Sequence, residues 1–321
     1  MSILIQRPGI LTTVQDLGRY GFRRFGINPG GVMDPAAARL INVLLGNSER
    51  EAVLEMHFPA PQIIFEKEAV AAIGGADFLP HLDGKPVRTW QVFRAKPGSI
   101  LYFAGKGLGN RAYLAIKSGL EIDRWLGSSS TNLIAARGGL SGRRLEAKDR
   151  IGFRSSAMEN FVSTGTRLSP WIIPPYSSTP TVKVNPGAEF TNLSDHAREI
   201  FLSRQFEISG KSDRMGFRLT GEAVELSECS EMISSAVSFG TIQALPDNQL
   251  IILMADHQTT GGYPRLAHVI SHDLPLIGQL GPGDKVAFQL VTPNRAEKLY
   301  LEFERNLKFL GAGSKFESAP D

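Results

Sequence analysis

Residues 256–264, DHQTTGGYP, gather hydrogen-bonding groups on a glycine hinge. Asp256 offers a carboxylate that could hold a proton, and His257, Gln258, Thr259 and Thr260 follow it with no apolar residue between them. Gly261 and Gly262 then remove side chains, so the backbone could adopt positive φ or approach a ligand closely. Tyr263 and Pro264 close the turn. The apolar run Leu250 to Ala255 before it reads as a buried strand, so the polar cluster stands at a strand end, where a scaffold presents a site. The plainer alternative is a polar turn capped by Asp256.

Complementary charge is available at 212–216, SDRMG, where Asp213 and Arg214 sit on a loop closed by Gly216; a local salt bridge is the alternative reading. A cleft lined by Asp256, Thr260 and Tyr263 with Asp213 and Arg214, and with Gln243 nearby, is the expectation. Near the start, TTVQDLGR at 12–19 sets Asp16 and Arg19 around Gly18; the pair could bind each other, or Arg19 could fork onto a carboxylate or phosphate. In GINPGGVMD, residues 26–34, three glycines precede a helix start, but Asp34 caps that end and competes with any anion. Gly210-Lys211-Ser212 is not a phosphate loop, because Gln205 stands where the first glycine belongs and QFEIS before the motif has a strand pattern. His268 and His272 lie four apart without the glutamate of a metalloprotease helix, and no metal centre is expected. The G-x-S-x-G elbow of a serine hydrolase is absent.

The elements that must position these residues are mostly short strands. Gln62 to Phe65, Val70 to Ile73, Ser99 to Phe103 and Arg111 to Ile116 read as strands in the first half. Thr181 to Val184, Gln205 to Ile208, Ala223 to Leu226, Leu250 to Ala255 and Lys285 to Val291 do so in the second. Three helices are expected: one after Asp34 and Pro35 with a stripe of Leu40, Ile41, Leu44 and Leu45, one over Ser194 to Ser203, and one from Asn294 with Glu297 as capping-box partner. Pro170, Pro174, Pro175 and Pro180 interrupt any ladder between the halves, and Trp171, Ile172 and Ile173 imply that this stretch packs. The expected division is a β-rich domain over 1–165, a proline-rich linker over 166–180, a second β domain over 181–310 and a frayed tail over 311–321. PGSILYF at 97–103 echoes PGDKVAF at 282–288, which fits two related domains.

The composition agrees with this and narrows the function. A chain of 321 residues with 42% hydrophobic content can build two cores, and Gly 33 with Pro 19 favours turn-rich β structure. A net charge of +3, without a basic block interleaved with aromatics, argues against nucleic acid as a partner. The lone Cys229 excludes an internal disulfide, suits a reducing compartment and is expected to be buried and inert. No stretch is long and apolar enough for a signal peptide or a membrane span, so a soluble cytoplasmic chain is expected.

Taken in order, TTVQDLGR, GGVMD, LGSSST at 126–131, GGLSGR at 138–143, SDRMG, GTIQ at 240–243, DHQTTGGYP and GQLGPGD at 278–284 resemble one family across residues 3–292. It is the KipI-antagonist family, whose members are also called the 5-oxoprolinase C subunit, allophanate hydrolase subunit 2 or the biotin-dependent carboxyltransferase family. The resemblance implies a mainly β fold of two cyclophilin-like β-barrel domains with a few peripheral helices. It implies a component of an ATP-dependent 5-oxoprolinase, which opens the lactam of 5-oxoproline to glutamate and is inactive alone. Its partners would be a KipI-like protein (the 5-oxoprolinase B subunit, or allophanate hydrolase subunit 1) and a third barrel-type subunit. ATP and Mg²⁺ would act in the assembled complex. The alternatives are the carboxyltransferase component of a urea carboxylase-type system, where biotin would enter, or a non-catalytic regulator. Under the main reading Asp256, Asp213 and Asp16 are the catalytic candidates. Arg19, Arg214, Gln243, His257, Thr260, Gly261, Gly262 and Tyr263 are candidates for substrate binding, with Lys211 a further cation. The family's Ser-Gly-Ala-Met-Asp is Gly30-Gly31-Val32-Met33-Asp34 here, so a hydroxyl is lost.

Overall fold

The computed structural model describes residues 1–154, 163–226 and 232–316, with side chains described to 312; Cys229 lies outside the described residues. The chain is mainly β and divides into two compact units. The first holds Met1–Arg19, Gly30–Pro174 and Phe303–Asp321, and the second holds Tyr20–Pro29 and Pro175–Glu302. The division is thus not collinear with the sequence. A ten-residue early segment belongs to the second unit and the C-terminal stretch to the first, whereas a proline-marked cut can only separate the chain into consecutive blocks.

In the first unit, two sheets close over one core. One sheet runs in the order Leu120–Glu121, Arg150–Phe153, Ser2–Arg7, Gln62–Phe65, Ile100–Phe103, Pro80–Leu82 and Lys85–Pro86. The other runs Thr12–Gln15, Val53–Met56, Ala112–Ile116, Ala69–Gly75 and Val92–Ala95. Alternation explains the first sheet: in Ser2–Arg7, Ile3 and Ile5 face inward while their neighbours are more exposed. The second sheet has both faces covered, and its strands Val53–Met56 and Ala112–Ile116 are buried along their whole length. Ile5, Val14, Leu54, Phe65, Ile73, Phe78 and Leu114 share the core.

Helix α1 (Pro35–Leu44) starts where the sequence indicates. Asp34 Oδ1 accepts the Ala37 amide at 2.9 Å, Pro35 opens the first turn, and Leu40, Ile41 and Leu44 are buried. On its other side, Arg39 forks onto Glu304 at 2.6 and 2.8 Å and reaches Glu49 at 2.7 Å. Burial works against the guanidinium, but these carboxylates raise its proton affinity above the ordinary value. Ile172 of the 163–180 stretch is buried and the Leu168 amide donates to Trp90 O at 2.9 Å; Trp171 is instead exposed, so the packing residues are Leu168 and Ile172.

The second unit is a closed barrel in the order Thr181–Pro186, Arg265–Val269, Thr241–Ala244, Leu250–Leu253, Gly216–Thr220, Phe206–Ile208 and Lys285–Leu290. Closure comes from the parallel pairing of Thr181–Pro186 with Lys285–Leu290. Helix α2 (Asp195–Ser203), capped by Ser194 Oγ at 3.1 Å from the Ala197 amide, stacks Phe201 on Phe288 with centroids 4.8 Å apart. The run expected as a strand at Ala223 to Leu226 joins no sheet among the described residues: Leu226 forms an isolated bridge with Leu193, and the Val224 amide donates to Asn248 O at 3.0 Å. Helix α3 (Leu274–Gly278) is short and carries no periodic stripe that would announce it. Helix α4 (Pro293–Phe316) begins one residue earlier than expected, because Thr292 Oγ1 accepts the Arg295 amide at 3.3 Å and takes the capping place assigned to Asn294 and Glu297. It continues to Phe316, so residues 311–316 of the expected tail are helical, and 317–321 lie outside the described residues. No helix among the described residues is long and apolar enough to cross a membrane.

Asp273 ties the barrel's seam. Its Oδ2 accepts the Lys183 amide at 2.7 Å and its Oδ1 faces His272 Nδ1 at 2.6 Å. Burial alone would push its pKa up, but the hydrogen bonds from His272 and Lys183 and their charges hold it below the usual carboxylate value. Glu189 is also held low, chiefly by hydrogen bonding from Arg265. A depressed folded pKa gives stability that is present above the unfolded value and is lost as pH falls through the folded one. Unfolding free energy is therefore expected to fall as pH drops below about 4. Asp273→Asn should flatten that slope, and denaturant titrations from pH 7 to 3 would measure it.

Candidate functional site

The second unit brings two of the sequence motifs together through one ion pair. Arg214 Nε lies 2.8 Å from Asp256 Oδ2 and Arg214 Nη2 3.1 Å from Asp256 Oδ1, with both side chains over nine-tenths buried. Backbone bonds run alongside: the Asp256 amide donates to Arg214 O at 2.8 Å, and the Met254 amide to Met215 O at 3.0 Å. The SDRMG loop is therefore laid against the strand end that begins DHQTTGGYP. Asn28, from the early segment of this unit, donates to Asp256 O at 2.9 Å, and Arg23 donates to Val237 O.

Beside this clamp lies a cleft of about 430 Å³ whose lining includes Lys211, Asp213, Arg218, Gln243, Gln258 and Tyr263. Asp213 stands at a turn, its Oδ1 accepting the Met215 and Gly216 amides at 2.7 and 3.2 Å. Gln243 is fully buried in the strand Thr241–Ala244 and donates from Nε2 to Tyr263 O at 3.0 Å. Gly261 explains why the amide fits there, since a Cβ at that position would come within 3.0 Å of Gln243 Nε2.

Asp213, Gln243 and Tyr263 thus line the cleft as the sequence suggests, whereas Asp256 and Arg214 are spent on each other beside it. His257 is buried behind the strand end; burial pushes its imidazole below the ordinary pKa, the Gln258 carbonyl opposes this, and Arg23 lowers it further. Thr260 and Gly261 form a short ladder with Ser235–Ala236 rather than a ligand cradle, and neither Gly261 nor Gly262 uses positive φ. Gln258, part of the DHQTTGGYP motif, also lines the cleft, and Arg218 is a lining residue that no sequence motif singles out. The alternation of Gly216–Thr220 does place Arg218 outward, which is the signal that could have found it. The Gly210-Lys211-Ser212 turn joins two antiparallel strands, which is the wrong frame for a phosphate loop. His268 sits in a strand beside Thr241 and His272 on Asp273, so the two do not form a pair. Among the described residues no group of three or more metal-ligating side chains occurs.

Asp16 and Arg19 belong to the first unit, and they do not pair there. Asp16 Oδ1 accepts from Ser128 Oγ and Ser130 Oγ at 2.6 Å each and from the Gly18 amide at 2.8 Å, while Oδ2 accepts the Ser129 amide at 2.6 Å. Arg19 donates to Ser130 O and lies over the Trp125 ring at 4.7 Å. The motif LGSSST is thus the receptor for TTVQDLGR. Gly31 packs against the same segment: it has φ +99°, and a Cβ there would sit 3.0 Å from the Gly18 nitrogen. Met33 and Asp34 are fixed in turn, since the Met33 amide donates to Glu55 Oε2 at 2.8 Å and the Asp34 amide to Tyr113 Oη at 2.9 Å.

The carboxyltransferase domain family, subdomains A and B, matches residues 25–290. The 5-oxoprolinase C subunit of Haemophilus influenzae is 36% identical over 287 residues, covering 89% of this chain and 90% of that protein. The protein of the same name from Escherichia coli is 33% identical over 284 residues, covering 88% and 89%. The crystal structure of Kluyveromyces lactis urea amidolyase matches with a TM-score of 0.90 at 26% identity, covering 96% of this chain but 20% of that one.

Asp256→Asn removes the negative charge from a buried ion pair, and breaking such a pair typically destabilises by about 3 kcal/mol or more. Asp256→Asn is expected to lower the unfolding free energy by that amount in denaturant titration. A loss near 1 kcal/mol would instead match a mere turn cap.

Proposed function

The chain belongs to the carboxyltransferase domain family, and we propose that it is the C subunit of an ATP-dependent 5-oxoprolinase, the system that opens the lactam of 5-oxoproline to glutamate. The observation that carries this reading is the match along nearly the whole length of two proteins of that name, at 36 and 33% identity. Its partners are a KipI-like protein and a third, barrel-type one, and the chain alone is inactive.

A lactam carbonyl is a poor electrophile, and phosphorylating its oxygen at the expense of ATP would activate it. ATP and Mg²⁺ are assigned to the assembled complex: no three-ligand cluster occurs among the described residues, and Gly210-Lys211-Ser212 joins two antiparallel strands rather than a strand and a helix. What this chain contributes is a substrate cleft. Asp213 is the group we assign to moving a proton, since it lines the cleft while one of its carboxylate oxygens is anchored by backbone amides. Asp256 and Asp16 are assigned positioning tasks: Asp256 holds the loop that carries Asp213, and Asp16 holds the 128–131 segment. Of the expected binding residues, Gln243 and Tyr263 contact substrate. Arg214, His257, Thr260, Gly261 and Gly262 shape the wall, and Arg19 serves the first unit.

A second reading is favoured by the backbone match to urea amidolyase: a biotin-dependent carboxyltransferase component acting on a small amide. Reconstitution separates the two. Mixed with its KipI-like and barrel-type partners, the chain should co-elute in size exclusion and support glutamate release that needs both ATP and 5-oxoproline. Separate peaks without activity, or activity that needs a biotinylated carrier, would overturn the main reading. In that complex Asp213→Asn keeps the turn's acceptor and removes the charge, so kcat should fall by about 10²-fold with the melting temperature held.

A further inference from the structure

At the floor of the cleft, one hydrogen-bonding valence of Gln243 is left over. The side chain is fully buried, and its orientation is fixed because Nε2 must donate to the Tyr263 carbonyl at 3.0 Å. Oε1 is therefore the other atom of the amide, and among the described residues it accepts no hydrogen bond. A buried acceptor left in that state is unfavourable, so it marks a place where a donor is expected to arrive. The cleft's lining also carries two cations, Lys211 and Arg218, whose side chains form no ion pair among the described residues. The carboxylates near them are turned to the backbone: Asp213 Oδ1 accepts the Met215 and Gly216 amides, and Asp247 Oδ1 accepts the Gln249 amide at 3.1 Å.

We propose that Gln243 Oε1 accepts the ring N–H of the substrate, with Lys211 and Arg218 offering counter-charge to its carboxylate, so that Gln243 is the residue that selects a lactam over a lactone. The proposal rests on the oxoprolinase reading for the identity of the substrate, and it adds the group by which that substrate is read. 5-Oxoproline carries one N–H and one carboxylate on a small ring. The corresponding lactone acid has a ring oxygen in place of the N–H, and its lone pairs would face the Gln243 oxygen. A site built around a hydrogen bond rejects the analogue that lacks it far more strongly than an apolar pocket rejects a change of size. Gly261 belongs to the same device, because a side chain there would push on the Gln243 amide.

The test uses the reconstituted complex and three probes: 5-oxoproline, 5-oxotetrahydrofuran-2-carboxylate, which lacks the N–H, and 2-pyrrolidinone, which lacks the carboxylate. Binding of each is measured by calorimetry, and inhibition of turnover by the two analogues where turnover is present. The wild-type complex should bind the lactam acid at least about tenfold more tightly than the lactone acid. Gln243→Met should bring that ratio to within about threefold, and because it is a ratio it does not depend on the fraction of folded protein. Lys211→Ala and Arg218→Ala should weaken 5-oxoproline relative to 2-pyrrolidinone and leave the lactam-to-lactone ratio unchanged. Equal binding of lactam and lactone by the wild type, or an unchanged ratio in Gln243→Met, overturns the proposal even if the complex releases glutamate. A complex that does not turn over 5-oxoproline yet shows a Gln243-dependent preference for the N–H probe would overturn the oxoprolinase reading and leave the recognition role standing.

Discussion

The second unit's site depends on a buried ion pair between two loops that lie 42 residues apart in sequence. Strand ends and hairpin turns are ordinarily among the more mobile parts of a β-barrel. Here the bidentate Arg214–Asp256 contact, with its parallel backbone bonds, fixes one loop on the other and so sets the wall from which Asp213 projects. Arginine suits this task because its planar fork matches both carboxylate oxygens at once, which a lysine cannot do. The pair is costly to bury, so its return is a defined loop geometry rather than added stability.

The first unit solves a similar problem with different chemistry. Asp16 is buried too, but its donors are two serine hydroxyls and two backbone amides. These neutral donors gather around a carboxylate on the strand end after Thr12–Gln15, and all but the Gly18 amide come from one short segment, 128–130. The serines of LGSSST therefore have a reason to be consecutive: hydroxyl and amide groups on adjacent residues reach both oxygens of a single acid. Arg19 leaves that acid to the serines and instead joins the same segment through Ser130 O and the Trp125 face.

Much of the fold is legible in the sequence, because periodicity and caps are local. Gln62–Phe65 falls where the apolar run places it, and α1 begins at the Asp34–Pro35 pair. What is not legible is what depends on partners. Ala223 to Leu226 has the composition of a strand but joins no sheet among the described residues, and Thr292 outcompetes Asn294 as a cap by geometry that no spacing rule records. Residues 20–29 join the second unit because Arg23 and Asn28 find carbonyl acceptors there, and nothing in YGFRRFGINP announces that choice. The site is legible as motifs but not as roles. A sequence shows that Asp256 is surrounded by polar residues; only the structure shows that its two oxygens are already taken.

That distinction changes which residues should be compared among proteins of this family. A polar residue in a motif can be there to touch a ligand or to hold another residue that does, and burial with satisfied valences separates the two cases. Asp16, Asp256 and Arg214 have partners that account for their burial, so their presence argues for a shared loop architecture. Gln243 is different: one end of its amide is accounted for and the other is not. Architecture explains half of that side chain. The remaining half has to be explained by what enters the cleft, which makes an ordinary glutamine in a barrel strand more informative about the ligand than the charged residues that dominate the motifs.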